Sequence, residues 1–180
     1  FSLEMPSIQL AKRMMVSETK LNADKFKGGE KIEKWEWKQL DIQLKRLVKA
    51  PIYIDDTPSL PIMEFRSKVK RLVNQKGVRL VVVDYLQLMQ SDRRNDNRVQ
   101  EVAEISRNMK ILAKELRVPV ICCAQLSRGA EQRAGDSHPM LSDLRDSGAI
   151  EQDADVIMFI SRDYYQDKPE NENTADIIVA

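Results

Sequence analysis

Glycine is scarce, with six in 180 residues, and none falls in a G-x-x-x-x-G-K-[ST] run, the turn whose backbone donors cradle phosphates and whose lysine neutralises them. That excludes a self-contained phosphate loop of this type within the sequence. The two cysteines, Cys122 and Cys123, are adjacent inside an apolar run, a poor disulfide pair with no metal-ligand spacing, and they read as reduced core thiols. The single histidine, His138, has no partner spaced for metal binding and reads as a surface loop residue. No apolar run approaches the roughly 20 residues needed to cross a bilayer. The opening Phe1-Ser-Leu-Glu4 lacks the charged-then-apolar order of a signal peptide, so a soluble, intracellular protein with no membrane partner is expected.

What is present suits one globular unit: 180 residues, 42% of them hydrophobic, are enough for one sizeable core and too few for two comfortable domains. The net charge of +1 conceals a gradient, because residues 1–50 hold eleven Lys/Arg against seven Asp/Glu and residues 151–180 hold two against eight. Such asymmetry permits an anionic partner without requiring one. The chain has no initiator Met and stops inside a strand-like run, so both ends are expected to be boundaries within a longer polypeptide.

Extended apolar runs recur at residues 1–3, 51–54, 78–83, 118–124, 156–160 and 177–179, separated by helical patterns. The alternation predicts an α/β fold with a mostly parallel sheet flanked by helices. Helices are predicted from Pro6 to about Val16 and from Lys31 to Lys49, the latter carrying Trp37, Leu40, Leu44 and Leu47 inward with both tryptophans packing it. Another, capped by Ser59, is expected from Pro61 to Gln75, with Met63, Val69, Leu72 and Val73 inward and Gly77 ending it. The clearest runs from about Arg98 to Arg117, with Val99, Val102, Ile105, Met109, Leu112 and Leu116 as its stripe. Residues 90–97, 127–139 and 162–174 are the loop candidates.

Three apolar runs end in one polar residue: Phe1-Ser-Leu-Glu4, Leu80-Val-Val-Val-Asp84 and Val118-Pro-Val-Ile-Cys-Cys-Ala-Gln125. In a parallel sheet these ends share one edge, where ligands of open α/β folds bind, so Glu4, Asp84 and Gln125 are expected to converge. One carboxylate can polarise an attacking water, a second can hold Mg²⁺ beside phosphates in the manner of a Walker B element, and an uncharged amide can contact a γ-phosphate without adding repulsion. The competing reading is local: a capping or salt-bridged Asp84, with Glu4 and Gln125 capping the neighbouring helix or loop.

Phe1-Ser-Leu-Glu-Met5, Val82-Val-Asp-Tyr-Leu-Gln-Leu-Met89, Gln125-Leu-Ser-Arg128 and Asp143-Leu-Arg-Asp-Ser-Gly-Ala-Ile-Glu-Gln-Asp-Ala-Asp155 occur in that order. Together they resemble replicative DNA helicases of the DnaB type over essentially the whole chain. The resemblance implies a RecA-like P-loop NTPase core that uses ATP and Mg²⁺, forms a homo-hexamer around single-stranded DNA, and works with a primase and a helicase loader in the bacterial cytoplasm. By the same resemblance Glu4 would be the catalytic base, Asp84 the metal partner, and Gln125 the residue linking the γ-phosphate to DNA-facing loops. Arg145, Asp146 and Gly148 would hold the nucleic-acid backbone.

No basic patch marks that last segment, since residues 126–148 hold three Arg against four Asp/Glu, and its local reading is a capping turn with surface charges. The loop from Ser91 to Arg98 is a weaker DNA candidate, and Arg93, Arg94 and Arg98 are assigned no role. The resemblance implies that the missing phosphate loop precedes Phe1 and that an arginine finger follows the last strand. A RecA or RadA recombinase core shares the strand-end logic, but the segment from Asp143 to Asp155 favours the helicase. A degenerate RecA-like module that binds a replication partner without hydrolysing ATP also accommodates the absent phosphate loop.

Overall fold

The computed structural model describes residues 1–19, 21–26, 28, 31–92, 97–127, 139–161 and 174–180, excluding the side chains of 145–147. The chain groups into two compact units, Phe1–Pro58 and Ser59–Ala180.

The first unit is helical as described. Helix α1, Ser7–Thr19, begins after Pro6, whose carbonyl accepts from Gln9 and Leu10 N–H at 2.9 and 3.2 Å. Proline suits this place because its missing N–H is one the first turn does not use. The Ser7 N–H goes to Asp56 Oδ2 at 2.7 Å, so Asp56 serves the start of α1. A short helix α2, Ala23–Phe26, precedes α3, Lys34–Lys49, and α3 packs on α1.

The inner face of α3 is centred on Leu40 and Glu36, both buried. Glu36 lies there because Lys25 meets it at 2.6 Å while its other oxygen accepts the Glu33 N–H at 2.8 Å, closing a capping box. The Lys25 bond first, and the Glu33 N–H second, hold its carboxyl below the usual carboxylate range. The expectation that the tryptophans pack this helix is corrected: Trp35 and Trp37 are 60% and 58% exposed. The paired Glu36 occupies the inward place one turn before Leu40. Residues 1–3 and 51–54, expected as strands, are not assigned as strands. They are tied by the Ser2 N–H donating to the Asp55 carbonyl at 2.9 Å.

The second unit carries the strands, which among the described residues form two separate two-stranded sheets, one parallel and one antiparallel, rather than the single mostly parallel sheet expected. Helix α4, Ile62–Lys76, has Pro61 rather than Ser59 at its cap position, and its first donors are taken from across the fold: Ile62 N–H by the Gln90 carbonyl at 3.0 Å and Met63 N–H by Asp92 Oδ2 at 3.1 Å. Ile62, Phe65 and Val69 face inward, and Met63, expected there, is exposed. Gly77 ends α4 in the left-handed region, φ 66°, with its N–H directed to the Leu72 and Val73 carbonyls. This is the conformation that favours glycine at a helix end.

Strand β1, Val81–Val83, runs parallel to β2, Val120–Cys122, in the register Val81↔Val120 and Val83↔Cys122. The connection is α5, Arg98–Leu116, a helical crossover of the kind a parallel pair requires. Asn97 accepts the Val99 N–H at 3.0 Å and starts it. Its buried stripe is Val102, Ile105, Met109 and Leu112, with Ser106 beside them, whereas Val99 is exposed. Arg66 on α4 reaches Asn108 at 2.9 Å and Glu115 at 3.3 Å, pinning α4 to α5.

After α5 and β2 come a 3₁₀ turn, Leu141–Ser147, and α6, Gly148–Asp153. Ser106 Oγ donates to Asp153 Oδ2 at 2.8 Å, and Lys110 pairs with Asp155. Strands β3, Met158–Ser161, and β4, Asp176–Val179, pair antiparallel. Apolar runs carry no mark of direction, so this reversal was not separable from the expected parallel order. Expected loops 90–97, 127–139 and 162–174 fall largely on residues outside the described set, and so do Arg93, Arg94 and His138. Among the described residues no helix is long and apolar enough to cross a membrane.

Candidate functional site

Asp84 follows β1 directly, and its neighbour across the pair is the segment leaving β2. The ladder continues beyond the strands: Cys123 N–H donates to the Val83 carbonyl at 2.9 Å and Leu86 N–H donates to the Cys123 carbonyl at 3.0 Å. The turn Leu86–Leu88 is thereby joined to residues 123–125. The Asp84 carboxylate is close enough to Cys123 to push its thiol pKa up, second to the effect of burial. Burial, then Cys123, raises the Cys122 thiol to about 12. Both cysteines are free, as expected, but the expectation that they are core residues is corrected: Cys122 is half-buried and Cys123 is exposed; as neutral thiols they are poor nucleophiles.

The parallel register thus brings Asp84 and Gln125 to one sheet edge, as the strand-end pattern predicts. Neither the Asp84 carboxylate nor the Gln125 side-chain amide has a hydrogen bond or ion pair among the described residues, which removes the salt-bridged and capping alternatives within that set. Glu4 lies in the first unit, exposed, beyond the buried Ser2 and Leu3. The helix start it would have capped is served by Asp56 instead.

From Gln125 the chain passes to Ser127, whose N–H donates to the Asp143 carbonyl at 3.0 Å. Asp143 is buried, and its Oδ2 accepts the Met140 N–H at 2.8 Å. With the buried Leu144 it anchors the 3₁₀ turn that carries Arg145 and Asp146 into Gly148. The side chains of Arg145 and Asp146 lie outside the described residues. Gly148 is the first residue of α6 with φ −53° and ψ −22°, and among the described residues nothing stands within 4 Å of where a Cβ would be.

A cleft of about 230 Å³ opens behind Gln125, lined by Gln87, Arg98, Ser127, Asp143 and Leu144 among others. That is smaller than the several hundred Å³ usual for organic ligand sites, so it is no nucleotide pocket by itself. Two of its residues were missed from the sequence. Arg98 donates to the Gln87 carbonyl and pairs with Glu101. The Gln87 side chain bonds both backbone groups of Gln125, donating Nε2–H to its carbonyl at 3.1 Å and accepting its N–H on Oε1 at 3.2 Å. The only sequence signal was that Gln87 sits inside the same apolar motif as Asp84.

No cluster of three or more His, Cys, Asp or Glu suited to a metal occurs among the described residues. A lone unpaired carboxylate at a strand end fits Mg²⁺ shared with phosphates, because that ion typically takes one or two carboxylates and fills its remaining positions with phosphate oxygens and water. The donor set does not fit a cation caged by protein alone.

A helix-crossed parallel pair, with a carboxylate and an amide at the carboxyl ends of its strands that have no partner among the described residues, defines an α/β domain with a polar sheet edge of the kind where ligands of open α/β folds bind. Its relatives narrow the class. The family model described as the DnaB-like helicase C terminal domain matches residues 1–180, and the chain belongs to that family. It is 50% identical over 182 residues to the replicative DNA helicase DnaC of Bacillus subtilis and 44% identical to the replicative DNA helicase DnaB of Haemophilus influenzae. These alignments cover 100% and 99% of this chain but 40% and 39% of the relatives, so the chain spans well under half their length. Its fold matches a solved structure described as an ATPase domain with a TM-score of 0.90 at 37% identity, covering 99% of this chain and 64% of that one. The structure of a DnaB-like replicative helicase, solved to study its interactions with primase, matches with the same TM-score and identity over 43% of its length. The α/β, RecA-like architecture is the expected one.

Proposed function

We propose that residues 1–180 belong to one RecA-like motor domain of a bacterial replicative DNA helicase, which hydrolyses ATP to translocate on single-stranded DNA and open duplex at the fork. Family membership and 50% identity to a replicative helicase support this reading. The observation that carries it is the continuous path from Asp84 through the zippered turn to Gln125, Ser127 and the Asp143-anchored turn. It joins a phosphate-facing edge to the segment expected to face DNA.

In this proposal Glu4 acts as the base that takes a proton from the attacking water, and Asp84 orients the metal or one of its waters. Bound Mg²⁺ would supply charge neutralisation across the phosphates. Gln125 contacts the γ-phosphate as a neutral donor and passes its position to the turn holding Arg145, Asp146 and Gly148. Those three residues grip the sugar-phosphate backbone without reading sequence. On this reading the phosphate cradle is supplied by residues other than these 180, since none of the six glycines falls in a G-x-x-x-x-G-K-[ST] run. A homo-hexamer in the cytoplasm, with a primase and a loader as partners, completes the proposal.

The test is ATP turnover of the full-length polypeptide carrying this segment, with Mg²⁺ and single-stranded DNA. Glu4→Gln is expected to lower kcat by about 10²- to 10⁴-fold, the usual worth of a positioned base. Asp84→Asn is expected to weaken Mg²⁺ dependence, and the isolated 180-residue chain is expected to be nearly inactive. Turnover indifferent to both substitutions would overturn the roles given to Glu4 and Asp84, and no turnover by the full-length polypeptide would overturn the motor assignment and leave a partner-binding module.

A further inference from the structure

The Gln87 side chain has the same donor and acceptor pair as a peptide unit. It uses both on one residue, Gln125, 38 positions away, at 3.1 and 3.2 Å. Two such bonds extend the β1–β2 ladder past the last strand residues by one rung made of a side chain. The Gln87 carbonyl is itself held by Arg98, the first residue of α5, and Arg98 is held by Glu101. The clamp is therefore fixed from both sides before any ligand arrives.

We infer that Gln87 is a positioning residue for ATP hydrolysis, setting the backbone of Gln125 so that its side-chain amide projects from the sheet edge in register with Asp84. The inference rests on the proposed role of Gln125 and extends it to a residue that contacts neither nucleotide nor DNA. Three features favour positioning over general stability. Gln87 lies on the turn directly after Asp84. The contact is to the backbone of Gln125, so the Gln125 side chain remains available. Gln125 is exposed and lies outside regular structure, and these two bonds tie its own backbone groups between the flanking ties at Cys123 and Ser127.

The chemistry is specific to glutamine. Alanine removes both bonds, and asparagine is one methylene short. Glutamate at neutral pH keeps acceptance from the Gln125 N–H but replaces the donor to its carbonyl with a negative oxygen.

The experiment uses the full-length polypeptide and reads kcat and KM for ATP with saturating single-stranded DNA. A misplaced reacting group costs rate more than affinity, so Gln87→Ala and Gln87→Glu are expected to lower DNA-stimulated kcat by about 10- to 100-fold. KM should stay within about threefold, because ground-state binding is then unchanged. The deciding measurement is the double variant: in a Gln125→Ala background, Gln87→Ala should cost nothing further, because the group it positions is gone. Losses that multiply, a loss confined to KM, or wild-type turnover of Gln87→Ala would overturn the inference. Wild-type turnover of Gln125→Ala would instead sink the underlying assignment of Gln125, a distinguishable result. If Gln87→Ala melts below the assay temperature, the isosteric Gln87→Glu carries the same cycle.

Discussion

Adding one methyl group at Gly148 separates a DNA contact from a structural need. Gly148 opens α6 in right-handed helical geometry, φ −53° and ψ −22°, a conformation open to any residue. A Cβ there meets nothing within 4 Å among the described residues, so no clash with them is gained. Alanine is preferred over glycine in helices by up to about 1 kcal/mol, and at the first helical position the gain is smaller. Gly148→Ala should therefore leave Tm unchanged or raise it by a few degrees. If the nucleic-acid backbone approaches the main chain here, as proposed, the methyl occupies that space. A hydrogen bond to a charged group is worth about 1.5–3 kcal/mol, so losing one predicts single-stranded DNA binding weakened roughly 10- to 150-fold per site. Fluorescence anisotropy with a labelled oligonucleotide at fixed salt, beside a thermal melt, reads both quantities. Unchanged affinity with an unchanged melt would refute the contact, and a large drop in Tm would refute the claim of open space.

Two further outcomes follow from burial and charge. Phe65→Ala, at a site with no exposure, should cost about 3–5 kcal/mol in urea unfolding, whereas Trp37→Ala, more than half exposed, should stay under about 1 kcal/mol; comparable losses would contradict the packing of α3 and α4. The carboxyl of Glu36 titrates below its ordinary 4.5 because Lys25 and the Glu33 N–H favour its charged form. The stabilisation is full above that unfolded value and is lost as pH falls through the lower folded one, so Glu36→Gln should flatten the pH dependence of Tm below about pH 4.5 while wild type declines.

The shared sheet edge was legible because polar residues ending apolar strands leave a mark in the sequence. The placement of Asp84 and Gln125 side by side was readable that way, and the 3.6-residue stripe of α5 and the Gly77 stop were equally readable. What was not legible depends on partners distant in sequence. Ser59 looked like a cap, yet Gln90 and Asp92 satisfy the start of α4 from some 30 residues downstream. Glu36 was not singled out from the sequence, and it is buried where Lys25 meets it while the neighbouring tryptophans lie outside. Gln87 looked like the polar member of an apolar run, since a side chain bonding backbone 38 residues away has no local signature. Strand direction is equally silent, which is why the β3–β4 reversal was not foreseen.

The bond from Ser127 N–H to the Asp143 carbonyl bears on how far motion can be transmitted. Between the clamped backbone of Gln125 and that bond at Ser127 lies one residue, Leu126, and the two steps span at most about 7 Å even when fully drawn out. With both ends tied, so short an arm has little slack. A displacement of an ångström at the sheet edge must reappear at the turn before α6 or break one of the ties. Under the proposed function, the travel of that turn would be set by how far Gln125 moves.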